Sequence, residues 1–564
     1  MRKISNYIKE NGYELAILVI LFCSLAYCLN GTFNFDDVCY YYFRGQSYLD
    51  GSSLFDIIRN GEKTWLLERG RFFPLNIPFE YVYYYVFNDW FSYELLIILA
   101  TCFDVLLFGC LIYEISYSKR NKLLGMLIIV VFFQVYGTYH NALIGYGALF
   151  QISALFLISQ LILLIKYLKT SDKKWFALSC FFELLGVMWY EVNYINIVLV
   201  FTICCWLKKE SFHTKLRESI ICSFPTIVCG MITVILRIAI PSSYQGTTIS
   251  FDFIKIVKTF FIQMYAVLPL SHYFAQKNNG IISLKNISFW DCALAVILFG
   301  LFMIVLKNFE KREKKLELGS LLLSIGATIV PGMLTPLTAK YQSELYYGIA
   351  HMSVFIQYFG LSAVFLWIYL FIENYVVIKH KYISMKLIQG ASAVILSMIL
   401  LINLQVTKSN ISAVSNAVKY PKESIITAIE KGLLDDVKDN DVVISIKNAP
   451  WDSDSFFSEY AKKRIPALYY PVYVENYNEY KETKYFINYS GTATGKSVVM
   501  CCSEGIQISD DGGIVLPTQE LFLYTEGDGY IELEGENISN KIGQKGEISK
   551  IEMGEINFMD LQLF

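Results

Sequence analysis

The sequence is short of charge: only 17% of its 564 residues are Asp, Glu, Lys or Arg, against ~25% in an ordinary soluble globule. Histidine is scarcer still. His140, His213, His272, His351 and His380 are the only five, and none stands at metal-ligand spacing, so none is expected to be a ligand. The 13 cysteines form neither a disulfide framework nor a C-x-x-C pattern. Ten lie in apolar segments, where a thiol behaves as a small hydrophobe, and only Cys39, Cys501 and Cys502 lie outside them. Internal repeats and low-complexity linkers are also missing. A disordered chain, a collagen-like fibre and a soluble globule are excluded.

What is present is apolar and aromatic: 55% of the residues are hydrophobic, with 41 Phe and 41 Tyr, and the mean hydropathy is +0.42. Many runs are long enough to cross the ~30 Å of hydrocarbon in a bilayer. Charge is unevenly spread. Residues 405–564 carry 15 basic and 25 acidic side chains, leaving 33 and 25 of the chain's 48 basic and 50 acidic residues to the first 404. A basic, apolar front followed by an acidic, polar back indicates a membrane domain at 1–404 and a soluble domain at 405–564. The basic excess fits membrane topology better than nucleic acid.

The expected fold class is mostly α, a polytopic membrane protein of about eleven transmembrane helices. The predicted spans are 14–30, 92–116, 123–138, 143–166, 175–190, 192–207, 219–240, 289–306, 317–334, 349–372 and 387–404. Arg2, Lys3 and Lys9 precede the apolar run Leu15 to Leu29 without a small-residue cleavage site, which reads as a retained signal anchor. Further basic clusters at 119–122, 166–174, 208–217, 307–315 and 379–386 separate later runs. The positive-inside rule then places the N-terminus in the cytoplasm and the tail outside a cell membrane. The outer segments would be 31–91, 241–287, 331–348 and the tail. Within the tail, a helical stretch at 411–434 precedes short β-type runs at 441–446, 469–474, 485–489, 497–501, 513–516 and 521–524, predicting a small α+β extracytoplasmic domain.

Candidate chemistry gathers at the outer ends of the spans. Asp36 and Asp37 follow the first span directly, and paired carboxylates near lipid are costly unless they act as a base or a metal ligand. A solvated helix N-cap would also use Asp. Arg44 and the element Glu68-Arg69-Gly70-Arg71 share that loop, and guanidinium groups bind phosphate oxygens in pairs. Interfacial arginines also snorkel to headgroups. Glu191 sits at the tip of a tight apolar hairpin, 175–207, and Arg237 lies near the outer end of its span. In the segment beginning Pro331-Gly332, Pro331 and Pro336 break the helix before Lys340, Tyr341 and Gln342, and Lys340 is placed to neutralise a phosphate. By contrast, Gly491 to Ser497 has three residues between its glycines where a phosphate loop needs four.

Taken together, Asp36-Asp37 after span one, Arg-Gly-Arg-Phe before span two, the short paired spans around Glu191, the Lys340-Tyr341-Gln342 loop and the soluble tail resemble the GT-C superfamily of integral membrane glycosyltransferases. The pattern is most similar to its bacterial O-antigen and surface-polysaccharide glucosyltransferase-like members. The Trp-Trp-Asp motif of oligosaccharyltransferases is missing. The resemblance implies inverting transfer of a sugar from a polyprenyl-phosphate donor to a cell-surface polysaccharide or glycolipid acceptor. Asp36 or Asp37 would be the base, and Arg44, Glu68, Arg69, Arg71, Glu191, Arg237, Lys340, Tyr341 and Gln342 would bind substrate. A monophosphate leaving group held by fixed cations needs no metal, whereas pyrophosphate donors in the family often use a divalent cation such as Mg or Mn; the carboxylate pair is compatible with either. A flippase or transporter of lipid-linked sugars, and a polysaccharide polymerase or ligase, are the alternatives.

Overall fold

A computed structural model describes residues 2–33, 52–87, 89–137, 140–240, 244, 246, 248–276, 286–309, 317–378 and 382–415, followed by short strands between 442 and 557. The chain is mostly helical. Among the described residues, seven helical segments are long and apolar enough to cross a membrane: Asn11–Asn30, Trp90–Ser116, Tyr146–Thr170, Phe289–Asn308, Leu318–Leu337, Val354–Tyr375 and Met385–Val414. Helices Phe212–Cys222 and Phe224–Ala239 make an eighth if counted as one span, bent by 64° at Ser223 with Pro225 opening the second half.

The remaining predicted spans are helical but short. Lys119–Val130 is capped by the Ser118 side chain, which accepts from Asn121 N–H, and ends well before residue 138. Lys173–Trp189 and Asn196–Leu207 replace the hairpin 175–207, separated by extended Tyr190 and the 3₁₀ turn Glu191–Ile195. Here the side chain of Asn193 donates 2.8 Å to the Gly186 carbonyl, satisfying a helix-end acceptor without a longer loop. The reversal therefore needs only a few residues. A helix inside the predicted outer segment 241–287 was not foreseen: Phe253–Val267 begins at an Asp252 cap, and Lys255 and Lys258 interrupt its apolar pattern.

The two compact units of the chain divide its residues unequally. One comprises Met1–Asn30, Ile58–Glu80 and Phe91–Ile411; the other comprises Gly31–Ile57, Tyr81–Trp90 and Ser412–Phe564. In the second, strand β1 (Val442–Ile446) pairs in parallel with β2 (Tyr485–Tyr489) and antiparallel with β3 (Val498–Cys502). The helix Tyr382–Val414 runs unbroken past the predicted boundary at 404.

Buried ion pairs fix how these helices meet. Arg120 makes a two-pronged contact with Glu373, at 2.8 and 2.5 Å, both side chains almost wholly enclosed. Lys122 pairs with Glu14 at 2.7 Å, and Lys408 with fully buried Asp291 at 2.5 Å. Two cations of the 119–122 cluster are thus committed to partners inside the bundle. Elsewhere the backbones approach closely: a Cβ added to Gly360 would collide with Ala327 and Thr328, so helices Leu318–Met333 and Val354–Ile378 meet through a glycine.

A buried pair stripped of one partner leaves an uncompensated charge, whereas an apolar replacement of both is often neutral. Glu373→Ala is therefore expected to lower the thermal stability of the detergent-solubilised protein sharply. The double variant Arg120→Met/Glu373→Met is expected to recover most of the loss. A double variant no more stable than Glu373→Ala contradicts this account of the pair.

Candidate cationic cavity

The turn before Arg71 is built locally. Helix Leu54–Lys63 runs into the π-turn Thr64–Glu68, closed by Arg69 N–H on the Thr64 carbonyl at 3.1 Å and by Arg71 N–H on Trp65 at 2.9 Å. Gly70 between them has φ +60° and a Cβ there would press on the Ile240 carbonyl at 3.1 Å, so only glycine passes the chain through this position without strain. The side chains of Arg69 and Arg71 consequently separate. Arg69 lies 4.3 Å over the Trp65 ring and 5.2 Å from the Tyr244 centroid; Arg71 lies 4.4 Å over Phe73.

Glu191 stands between two arginines. Its Oε2 accepts from Arg71 Nη2 at 3.1 Å, and its Oε1 accepts from Arg237 Nη2 at 2.6 Å. The three residues come from positions far apart in sequence: the Gly70 turn, the 3₁₀ turn after Trp189 and the last turn of the bent helix. Burial disfavours the carboxylate, but the adjacent Arg71 and Arg237 guanidinium groups outweigh it and hold Glu191 below the usual Glu range.

These side chains line a cavity of about 320 Å³ together with Tyr190, Tyr194, Thr335, Tyr341 and His351. A second, apolar cavity of about 650 Å³ shares the walls Tyr194, Leu334 and Leu337 and is completed by residues such as Val198, Phe260, Phe261 and Met333. Polar and apolar spaces thus adjoin, the arrangement an amphiphile requires. Another void of about 70 Å³ is lined without any charged side chain. Among the described residues, no group of three or more His, Cys, Asp or Glu is placed to hold a metal ion.

The predicted residues divide clearly. Arg71, Glu191, Arg237 and Tyr341 meet at the cavity. Lys340 lies beside it, 5.7 Å from the Tyr244 ring and 4.0 Å from Glu344. Glu68 is exposed and Arg69 stacks on aromatic rings, and neither is part of the cavity wall. Gln342 is a strut: its Nε2 donates to the Ser250 and Pro336 carbonyls at 3.2 and 2.8 Å. With the Ile249–Thr338 bridge it binds the segments around 250 and 338 to each other. Asp36, Asp37 and Arg44 lie outside the described residues.

His351 was not expected here. It is 6% exposed, with the Tyr341 ring 4.4 Å away edge-on, and its backbone N–H donates to Gln263 Oε1 at 2.9 Å. Burial, reinforced by His140, Arg71 and Lys340, pushes its pKa down to about 3. No motif marks it in the sequence, because its partners are supplied by other segments. Nearby, His140, Tyr146 and Ala148 all have positive φ, a strained turn that leads into Phe150, whose ring touches both Tyr190 and His351. No protein-family model matches the chain, and no curated protein matches it either.

The depressed Glu191 carboxylate has a stability signature. A group lowered on folding contributes stability that is full above its unfolded pKa, ~4.3, and is lost as pH falls through the lower folded value. The difference in thermal stability between the parent protein and Glu191→Gln should therefore stay constant from pH 8 to about 5.5 and shrink only in more acid solution. Thermal unfolding across that range measures it. A gap that closes near neutrality contradicts the ionised bridge.

Proposed function

We propose that this protein is a GT-C-type glycosyltransferase that takes a sugar from a polyprenyl-phosphate donor and passes it, with inversion, to a cell-surface polysaccharide or glycolipid. In this reading the chain crosses the plasma membrane about eleven times, counting the short helices as partial or cavity-lining spans, with the N-terminus inside. Residues after 411 then form an extracytoplasmic α+β domain that helps to receive the acceptor.

The observation that carries the reading is the cationic cavity beside an apolar one. In the cavity wall Arg71 and Arg237 outnumber Glu191, so the site has a net positive charge for an anionic headgroup, with Lys340 and its partner Glu344 beside it. The apolar cavity across Tyr194, Leu334 and Leu337 suits the first isoprene units of the carrier. A phosphate fixed there by preorganised cations is stabilised as it leaves. Glu191 is a poor base, since an arginine engages each of its oxygens. The acceptor proton is assigned instead to Asp36 or Asp37, one of which takes it as general base while the hydroxyl oxygen attacks the anomeric carbon and the bond to the polyprenyl phosphate breaks.

One observation favours a second reading. Among the described residues lining the cavity, Glu191 is the sole carboxylate, which is a composition for binding without bond-making. A carrier that moves lipid-linked sugars across the bilayer would need no more.

The test is transfer from a panel of undecaprenyl-phosphate hexoses by protein in nanodiscs, with surface polysaccharide as acceptor. Arg71→Ala and Arg237→Ala should weaken donor binding more than acceptor binding. Asp36→Asn, Asp37→Asn or the double variant should cut turnover by ~10²-fold or more, the usual contribution of a general base, while donor binding stays near normal. Full activity in all three carboxylate variants rejects the assigned base. Flipping of the donor without any transfer selects the carrier reading.

A further inference from the structure

Among the described residues that line the cavity, three buried side-chain N–H groups have no hydrogen-bond partner: Nε of Arg71, Nε of Arg237 and Nε2 of His351. The arginines are already recruited by Glu191 through their other nitrogens. His351 is different, because no described residue uses Nε2. Its Nδ1 accepts from Ser353 N–H at 3.3 Å, with the hydroxyls of Ser353 and Thr335 at 3.2 and 3.4 Å. An accepting Nδ1 carries no proton, so the single proton of the neutral ring is on Nε2. Gln263 holds the surrounding backbone by donating to the His351 carbonyl, the Ser353 hydroxyl and Gln357 Oε1 at 3.2, 3.1 and 2.9 Å, while Gln357 donates to the Thr328 carbonyl at 2.7 Å. The ring is thus fixed in place and tautomer, with its one donor unspent.

A buried donor without a partner is costly in a folded protein, and a histidine that serves packing alone is ordinarily satisfied at both nitrogens. We infer that His351 is a binding residue for a phosphate ester, its uncharged Nε2–H donating to a phosphate oxygen held at the same time by Arg71 and Arg237. This rests on the phosphate reading given above and adds to it a directional donor. Charge alone is recognised by the two guanidinium groups and Lys340. A neutral donor contributes geometry without raising the positive charge of a cavity whose cations already repel one another. A second proton on Nδ1 would face the Ser353 N–H and the nearby cations, which keeps the imidazole in its donating, uncharged form.

The experiment compares the parent protein, His351→Phe, His351→Gln and Arg237→Ala in nanodiscs for binding of undecaprenyl phosphate, undecaprenol and inorganic phosphate. Phe keeps the aromatic packing and removes the donor; Gln restores an N–H near the Nε2 position. His351→Phe should weaken undecaprenyl phosphate at least about 10-fold, as expected for a hydrogen bond to a charged group, leave undecaprenol unchanged, and be largely rescued by Gln. Competition by inorganic phosphate that is weakened in the same ratio supports the donor role with phosphate alone as the recognised group. Failure of inorganic phosphate to compete, with the lipid effect intact, supports it with the lipid headgroup as the source. In the parent protein labelled with ¹⁵N-histidine, one Nε2–H resonance should move on saturation with undecaprenyl phosphate, a readout that does not depend on how the variants fold. Unchanged affinity in His351→Phe alongside loss in Arg237→Ala overturns the inference and spares the phosphate reading, as does an unmoved histidine resonance in protein that binds the lipid. Parent protein that binds neither phosphate probe overturns both.

Discussion

Two guanidinium groups cannot be held side by side in a half-buried pocket without an anion between them, and Glu191 supplies it. Its two oxygens each satisfy one arginine, and the three side chains arrive from three separate parts of the chain. The Gly70 turn, the abrupt break after Trp189 and the bend at Ser223 are the backbone features that bring them within reach. With Glu191 in place, the cavity keeps its cations fixed and still carries net positive charge. Such preorganisation makes a cationic site effective in low dielectric, since no reorientation is needed when an anion enters.

Around that triad the fold is stiffened by polar contacts that water would weaken elsewhere. Arg120 with Glu373 and Lys408 with Asp291 lock helices through residues that are not part of the cavity wall. Gln263, Gln357, Ser353 and His351 do the same beside it through neutral hydrogen bonds. The distinction has a functional consequence. Charged pairs neutralise each other and fix helix positions, whereas the neutral network orients a ring and leaves one donor available.

Several residues changed meaning once neighbours were known. Gln342 belonged to a promising loop, yet its side chain joins two carbonyls and holds the segments around 250 and 336 together. Arg69 and Arg71 are two residues apart, and the left-handed turn at Gly70 sends only the second to the cavity. The cations at 120 and 122 look like loop charges marking one side of a membrane, but each has a carboxylate partner from another helix. His351 was unremarkable in isolation. Its value lies in a proton position fixed by Ser353 and in an environment made by Tyr341, Phe150 and Arg71.

Composition and hydropathy alone determined that this is a helical, membrane-spanning chain, because burying long apolar runs in hydrocarbon forces the backbone to satisfy itself within each helix. The sequence likewise singled out Arg71, Glu191, Arg237 and Tyr341, since charged and aromatic groups at the ends of apolar runs are costly to keep without a purpose. Only the tertiary structure decided that these four share one cavity, that an apolar space adjoins it, and that a histidine completes the wall. The physical reason is range. Hydrophobic periodicity is a local property of the chain, whereas an ion bridge between residues 71, 191 and 237 depends on how distant helices pack, on bends at single residues and on which side chain a left-handed glycine turns inward.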